Sequence, residues 1–246
     1  MSDKIDSLEA RRPAISVTTF SLYRFPAIVD RLWVFGQMAA ARRPLARTPG
    51  IGFAKLFGSG TGEGFTPKPN TAVWGLLATW PDESAARRGA SEGVFARWAD
   101  HAAESWTIFL STLSARGRWS GAAPFAPDPD PGGGPLAVLT RATIRPASLL
   151  RFWSHEPGIS ARIGGDPNVI FKIGVGEAPW LQQVTFSIWP DEERMCAFAR
   201  RGPHQEAIRA VREGGWFAEE LYARFRVIGE AGSWPAAPPL LAGAEA

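Results

Sequence analysis

The sequence predicts an α+β protein in which two ferredoxin-like repeats, fused in one chain, close into a single α/β barrel of the dimeric type. Three observations predict it. Trp80-Pro81-Asp82-Glu83 recurs as Trp189-Pro190-Asp191-Glu192, an offset of 109 residues. Two more echoes keep the same order: Lys55-Leu56-Phe57-Gly58-Ser59-Gly60 with Lys172-Ile173-Gly174-Val175-Gly176, and Arg31-Leu32-Trp33 with Arg151-Phe152-Trp153. Finally, each copy reads strand, helix, strand, strand, helix, strand, the ferredoxin-like order. A four-stranded sheet with helices on one face must bury the other. Two such sheets packed face to face close into a barrel and leave no exposed edge.

The first repeat spans 14–120. Its strands are expected near 15–22, 51–57, 71–79 and 106–113, and its helices near 27–41 and 82–103. The second helix starts on Pro81-Asp82-Glu83, with proline in the first turn and carboxylates near the positive end of the helix dipole. Between the second and third strands, GSGTGEGFTPKPN at 58–70 reads as a long hairpin loop whose glycines supply positive φ. It fits neither the dinucleotide-binding nor the phosphate-loop template, and its stiff Phe65–Pro69 portion suits a lid. GAAPFAPDPDPGGGP at 121–135 is a linker by composition. The second repeat, 136–234, has strands expected near 136–144, 168–174, 181–188 and 221–228. Its helices are expected near 146–162, 191–200 and 204–213. The ends, 1–13 and 235–246, are expected to be disordered.

Composition excludes several classes. The chain has 246 residues, 45% hydrophobic and 21% charged, which marks a folded globular protein rather than a disordered one. One cysteine rules out an internal disulfide framework and any cluster held by several thiolates. None of the three histidines sits at ligand spacing from another, so a zinc site is not expected. The net charge of +3 comes from 23 arginines and four lysines scattered along the chain, with no basic stripe for nucleic acid. The longest apolar runs, such as VWGLLATW at 73–80, are too short to span a bilayer. The polar N-terminus lacks the apolar core of a secretory signal. A cytoplasmic protein is expected, with any membrane contact peripheral, at the inner membrane.

Candidate functional residues follow from context. His101 in ADHAAESW sits at a helix end, and His155 in FWSHEPG precedes a proline at a helix break; both suit surface or capping roles. His204 differs, because His204, Ala207, Ile208 and Val211 share one apolar helix face. Alone, such a histidine reads as a hydrogen-bonded core residue or as a ligand. The duplication favours the ligand: fifteen residues after Trp189 comes His204, and fifteen after Trp80 comes Phe95. A single imidazole projecting into one half of an aromatic-rich cavity between the sheets suits an axial heme ligand, one heme per chain. Cys196, at mid-helix in ERMCAFA, reads as ordinary packing. Arg141, Lys172 and Lys55, near strand ends, suit either heme propionates or the barrel rims. Of the eleven tryptophans, Trp74, Trp180 and Trp216 fall beside expected strands or the ligand helix, where they line a pocket or fill core.

The runs FGSGTGEGFTPKPN, WPDE, TRATIRP, VIFKIGVGE, QQVTFSIWPDEE and GWFAEELYARFR together closely resemble the spheroidene monooxygenases of carotenoid biosynthesis, over residues 15–234. The resemblance implies a heme-dependent monooxygenase that places a keto group at C-2 of acyclic carotenoids such as spheroidene, using dioxygen and reduced ferredoxin. It also singles out His204, in GPHxxAIRAVR, as the axial ligand among the three histidines. Ser59, Thr61 and Gln183 are candidates for hydrogen bonds in the heme pocket. A carotenoid is a membrane solute, so peripheral membrane contact is expected through the aromatic-bearing loop at 58–70. The alternatives are a heme carrier or sensor, a heme oxygenase of the same fold acting on another apolar substrate, or a cofactor-free barrel in which His204 is core.

Overall fold

The first repeat supplies β1 (Val17–Arg24), α1 (Ile28–Ala40), α2 (Arg42–Arg47), β2 (Phe53–Gly60), β3 (Pro69–Trp80), α3 (Glu83–Ala90), α4 (Gly93–His101) and β4 (Glu104–Gly117). The second supplies β5 (Leu136–Ile144), a 3-10 turn at Pro146–Ser148, β6 (Phe171–Ala178), β7 (Gln182–Trp189), α5 (Glu192–Ala199) and β8 (Phe217–Gly232). The computed structural model describes residues 16–61, 68–154, 167–178, 180–199 and 214–241.

Eight antiparallel strands close a barrel in the order β1-β3-β2-β6-β7-β5-β8-β4. Each repeat contributes the same internal order, β4-β1-β3-β2 and β8-β5-β7-β6, which is the ferredoxin-like arrangement. The two seams are unequal. β4 and β8 pair from Trp106↔Gly232 to Gly117↔Leu221, whereas β2 meets β6 only at Gly58↔Gly176 and Ser59↔Val175.

Local chemistry explains most element ends. The WPDE motifs start α3 and α5, but the cap is the aspartate and not the proline. Asp82 Oδ1 accepts the Ala85 N–H at 2.8 Å, and Asp191 Oδ1 accepts the Arg194 N–H at 2.8 Å. These backbone bonds hold both carboxyls below the usual carboxylate range. The helix expected over 82–103 is two helices, since Ser91 N–H turns back to Arg88 O and ends α3. β2 runs on through Gly58-Ser59-Gly60, expected to be loop, because pairing with β3 overrides the weak strand preference of glycine.

Strand alternation divides the barrel into an inner and an outer layer. The inner layer holds Phe20, Leu22, Phe57, Leu139, Ile173 and Phe186, all buried, with Phe20 stacked on Phe186 at 4.1 Å. An eight-stranded barrel is just wide enough for side chains to fill. Among the described residues, these buried side chains fill the space between the two sheets where an apolar cavity was expected. Around the first repeat, α1 to α4 cover the outer sheet face with a second core that includes Tyr23, Trp74, Leu76, Phe95 and Trp98.

The linker carries no helix or strand, yet it is fastened. Phe125 is buried against Phe225, Asp128 Oδ2 accepts from the Ser16 N–H, and Asp130 pairs with Arg226 at 2.7 Å. Residues 235–241, expected to belong to a disordered tail, instead pack on the barrel. Trp234 and Leu240 are buried, and the Leu240 N–H donates to Glu230. The expected disordered N-terminus, 1–13, lies outside the described residues.

Candidate functional site

The two repeats differ most on their outer sheet faces. Strand pairing aligns three rows of side chains across each face. In the first repeat the central row is Leu56, Leu76, Ser21 and Thr107, and beside it runs Gly58, Trp74, Tyr23 and Ser105. The corresponding rows in the second repeat are Gly174, Thr185, Thr140 and Tyr222, and Gly176, Gln183, Ala142 and Glu220. Two leucines, a tryptophan and a tyrosine are thus replaced by Gly174, Thr185, Gln183 and Ala142. Gly176 has a local reason, since a Cβ there would stand 2.5 Å from the Gln182 carbonyl oxygen. Those four exchanges remove bulk and add a hydroxyl and an amide, whereas Ser21, Thr107 and Ser105 give way to the larger Thr140, Tyr222 and Glu220. At one edge stands the row Lys172, Ser187, Val138 and Arg224; beyond it lie Trp189 and Leu136, both buried with Met195 of α5.

This register also corrects the lysine echo. Gly58 and Gly176 occupy matching places, so Lys172 corresponds to Ala54 and not to Lys55. A slip of one residue moves a side chain to the opposite face. Lys172 accordingly lies on the outer face, whereas Lys55 points inward and pairs with Glu177 at 2.6 Å. Arg141 also points inward. It is 1% exposed, bonds Glu219 and lies over the Trp119 ring at 5.8 Å. Burial pushes the Glu219 carboxyl up, but the Gly121 and Ser120 N–H groups and Arg141 outweigh it and hold the pKa below its usual value. Arg141 and Lys172, paired in the sequence reading as propionate contacts, therefore occupy opposite faces of one sheet. Arg141 is committed to Glu219, and Lys172 alone faces the outer layer.

The remaining candidates separate in the same way. His204 and His155 lie outside the described residues, as does Phe65. His101 is a structural residue, stacked on Trp33 at 3.9 Å with Nδ1 3.9 Å from Asp30 Oδ1. Cys196 packs against the small core of Leu136, Trp189 and Met195. Ser59 is buried inside the barrel and donates to the Val73 carbonyl, while Gln183 is on the outer face and half-buried. The Thr61 N–H donates to the Lys68 carbonyl as the loop begins. Trp74 fills the first-repeat outer core, Trp216 is buried ahead of β8, and Trp180 is half exposed in the β6–β7 turn. Thr140, Thr185, Tyr222 and Gly174 escaped the sequence reading; aligning the repeats on Gly58 and Gly176 would have found them.

Among the described residues, no group of three or more His, Cys, Asp or Glu side chains is placed to hold a metal ion. A cleft of about 360 Å³ beside α5 is walled by Glu192, Glu193, Cys196 and Ala197, and its two carboxylates do not suit an apolar ligand.

The fold and this face define a duplicated, dimeric-type α+β barrel whose second half presents small and polar side chains outward. A solved aldoxime dehydratase structure shares the fold, with a TM-score of 0.62 and 11% identity over 94% of this chain and 90% of that one. No family model matches the chain. It is 51% identical over 230 residues to the spheroidene monooxygenase of Cereibacter sphaeroides, covering 92% of this chain and 71% of that protein. The Rhodobacter capsulatus spheroidene monooxygenase is 52% identical, over 91% of this chain and 95% of its own length. That of Rubrivivax gelatinosus is 37% identical, over 83% of this chain and 79% of its own length. The chain belongs to the spheroidene monooxygenase family, and so to the monooxygenase class of oxidoreductases.

Proposed function

We propose that this chain is a heme-dependent monooxygenase that oxidises C-2 of an acyclic carotenoid, of the spheroidene to spheroidenone type, with dioxygen and electrons from reduced ferredoxin. Family membership supports the substrate class. One observation supports a ligand on the second repeat: its outer face carries Gly174, Thr185, Gln183 and Ala142 where the first repeat has Leu56, Leu76, Trp74 and Tyr23. Such an exchange forfeits apolar burial in a sheet–helix layer unless a ligand restores it.

One heme per chain would be held by His204, on the helix expected over 204–213, with Lys172 near the propionates. Bound there, heme supplies the activation of dioxygen, chemistry that side chains do not provide. The chain's own residues do the rest. Gly174 and Ala142 leave room; Thr140 and Thr185 offer hydroxyls and Gln183 an amide within the layer. Val138 borders it at the edge, beside the Leu136, Trp189 and Met195 cluster that packs under α5. The packed barrel beneath keeps that floor rigid. At the substrate, two successive hydroxylations of the C-2 methylene give a geminal diol, which loses water to form the ketone.

An absorption spectrum of the purified chain tests this reading. A Soret band that is lost in His204→Ala is the expected outcome. Absence of any Soret band after heme reconstitution overturns the heme assignment. Turnover of spheroidene with ferredoxin and its reductase separates an enzyme from a carrier.

A further inference from the structure

We infer that α1 and α2 form a docking surface for an anionic lipid bilayer. Ile28, Val29, Leu32 and Phe35 are 73%, 75%, 68% and 68% exposed. Their spacing, i, i+1, i+4 and i+7, places them on one stripe of α1. Scattered apolar residues on a surface are ordinary, but a contiguous stripe of four large ones marks an interaction site. The helix is correctly seated on its other side, where Val34 is buried in the first-repeat core and Trp33 stacks on His101.

Charge identifies the occupant. α2 follows directly and carries exposed Arg42, Arg43 and Arg47. Between residues 28 and 47 the one acidic side chain is Asp30, which faces His101. An exposed apolar helical stripe followed directly by exposed cations, with almost no acidic side chains, suits a segment that binds anionic lipid. Transient redox encounters use small contacts and do not call for four exposed apolar side chains.

The surface is also well placed. Phe35 meets Trp74 edge-on at 6.3 Å; Trp74 lies opposite Gly58, and Gly58 opposite Gly176 across the short seam. A docked stripe therefore lies beside the second repeat's outer face, where a hydrocarbon leaving the bilayer would enter. This purpose rests on the function proposed above, but vesicle binding needs neither heme nor turnover.

The full chain is floated with phosphatidylcholine vesicles, with and without phosphatidylglycerol. Wild type is expected to float with the anionic vesicles and not with the neutral ones. The double substitution Leu32→Glu and Phe35→Glu, at exposed positions, is expected to lower the bound fraction about tenfold or more. Arg42→Gln with Arg43→Gln is expected to weaken binding at low salt, and turnover of detergent-solubilised substrate to be unchanged in both variants. Equal flotation of wild type and the glutamate variant overturns the inference, as does failure of wild type to float. A wild-type dimer that the glutamate variant splits assigns the stripe to a second copy instead. Loss of ferredoxin-driven turnover in detergent assigns it to the protein donor.

Discussion

Refilling the second repeat's outer face is the sharpest test of where the ligand sits. Gly174 occupies the place that Leu56 holds in the first repeat, so Gly174→Leu writes the first repeat's core residue into the second. If the layer receives a ligand, the added side chain overpacks it. Overpacking costs about 1–3 kcal/mol, which is roughly a 5- to 150-fold loss of heme affinity. The measurement is heme titration followed at the Soret band, with thermal unfolding of the unloaded protein alongside. Leu56→Gly is the matched control. Leu56 is buried, so it should cost about 2–5 kcal/mol of stability through the cavity left behind, with heme affinity unchanged. The reasoning is refuted if Gly174→Leu binds heme like wild type while raising stability by about 1.5–3 kcal/mol, the gain from burying a leucine in an apolar layer. That result would make the face ordinary packing.

Arg141→Leu, which copies Leu22 of the first repeat, should cost about 2–3 kcal/mol in denaturant unfolding. This is below the usual 3–5 for breaking a buried pair, because Glu219 keeps its two backbone donors. Heme content should not change, and a loss of heme would return Arg141 to the ligand. Asp130→Asn should cost about 0.5–1 kcal/mol at pH 7, since its partner Arg226 is lost at a half-exposed site. The Arg226 hydrogen bond, ahead of the Gly132 N–H, holds the Asp130 carboxyl below its usual pKa. Its contribution is therefore complete above about pH 4 and lost as pH falls through the lowered pKa. Wild-type and Asp130→Asn unfolding curves should converge in acid, and a gap that persists there would contradict the assignment. Heme loading should slow amide exchange in β6, β7 and α5 and leave β1 and β3 unchanged; equal protection of both repeats would place the ligand elsewhere.

The fold was legible because duplication leaves marks that chemistry keeps. Asp82 and Asp191 cap the same helix in both copies, and a cap requires that side chain at that place. The strand expected over 136–144 is β5 residue for residue, being flanked by the linker and by Pro146. The site was less legible. Lysine residues 55 and 172 look alike in sequence, but strand pairing puts one inside the barrel and one outside, and no local pattern fixes a register of two. Arg141 read as a propionate contact or a rim residue because its partners, Glu219 and the Trp119 ring, lie far away in sequence. The tail misled for the same reason: Leu240 is held by Glu230 and the barrel core, contacts that Pro and Ala content does not announce.

The placement proposed for the site rests on the geometry of the fold. An eight-stranded barrel has a narrow interior, and here the described Phe20, Phe186 and their neighbours fill it. The ligand proposed above is therefore assigned to a sheet–helix layer, where it would displace core. Each large buried side chain contributes about 1.5–3 kcal/mol, so giving up four forfeits about 6–12 kcal/mol. That is comparable to the whole net stability of a typical domain. Depleting both outer faces, as a symmetric pair of identical halves would, removes that amount twice. Fusion of the repeats breaks the symmetry. The first repeat keeps Tyr23, Leu56, Trp74 and Leu76 in its outer core, and the long β4–β8 seam couples its stability to the second repeat, which would thereby be free to carry the proposed ligand face.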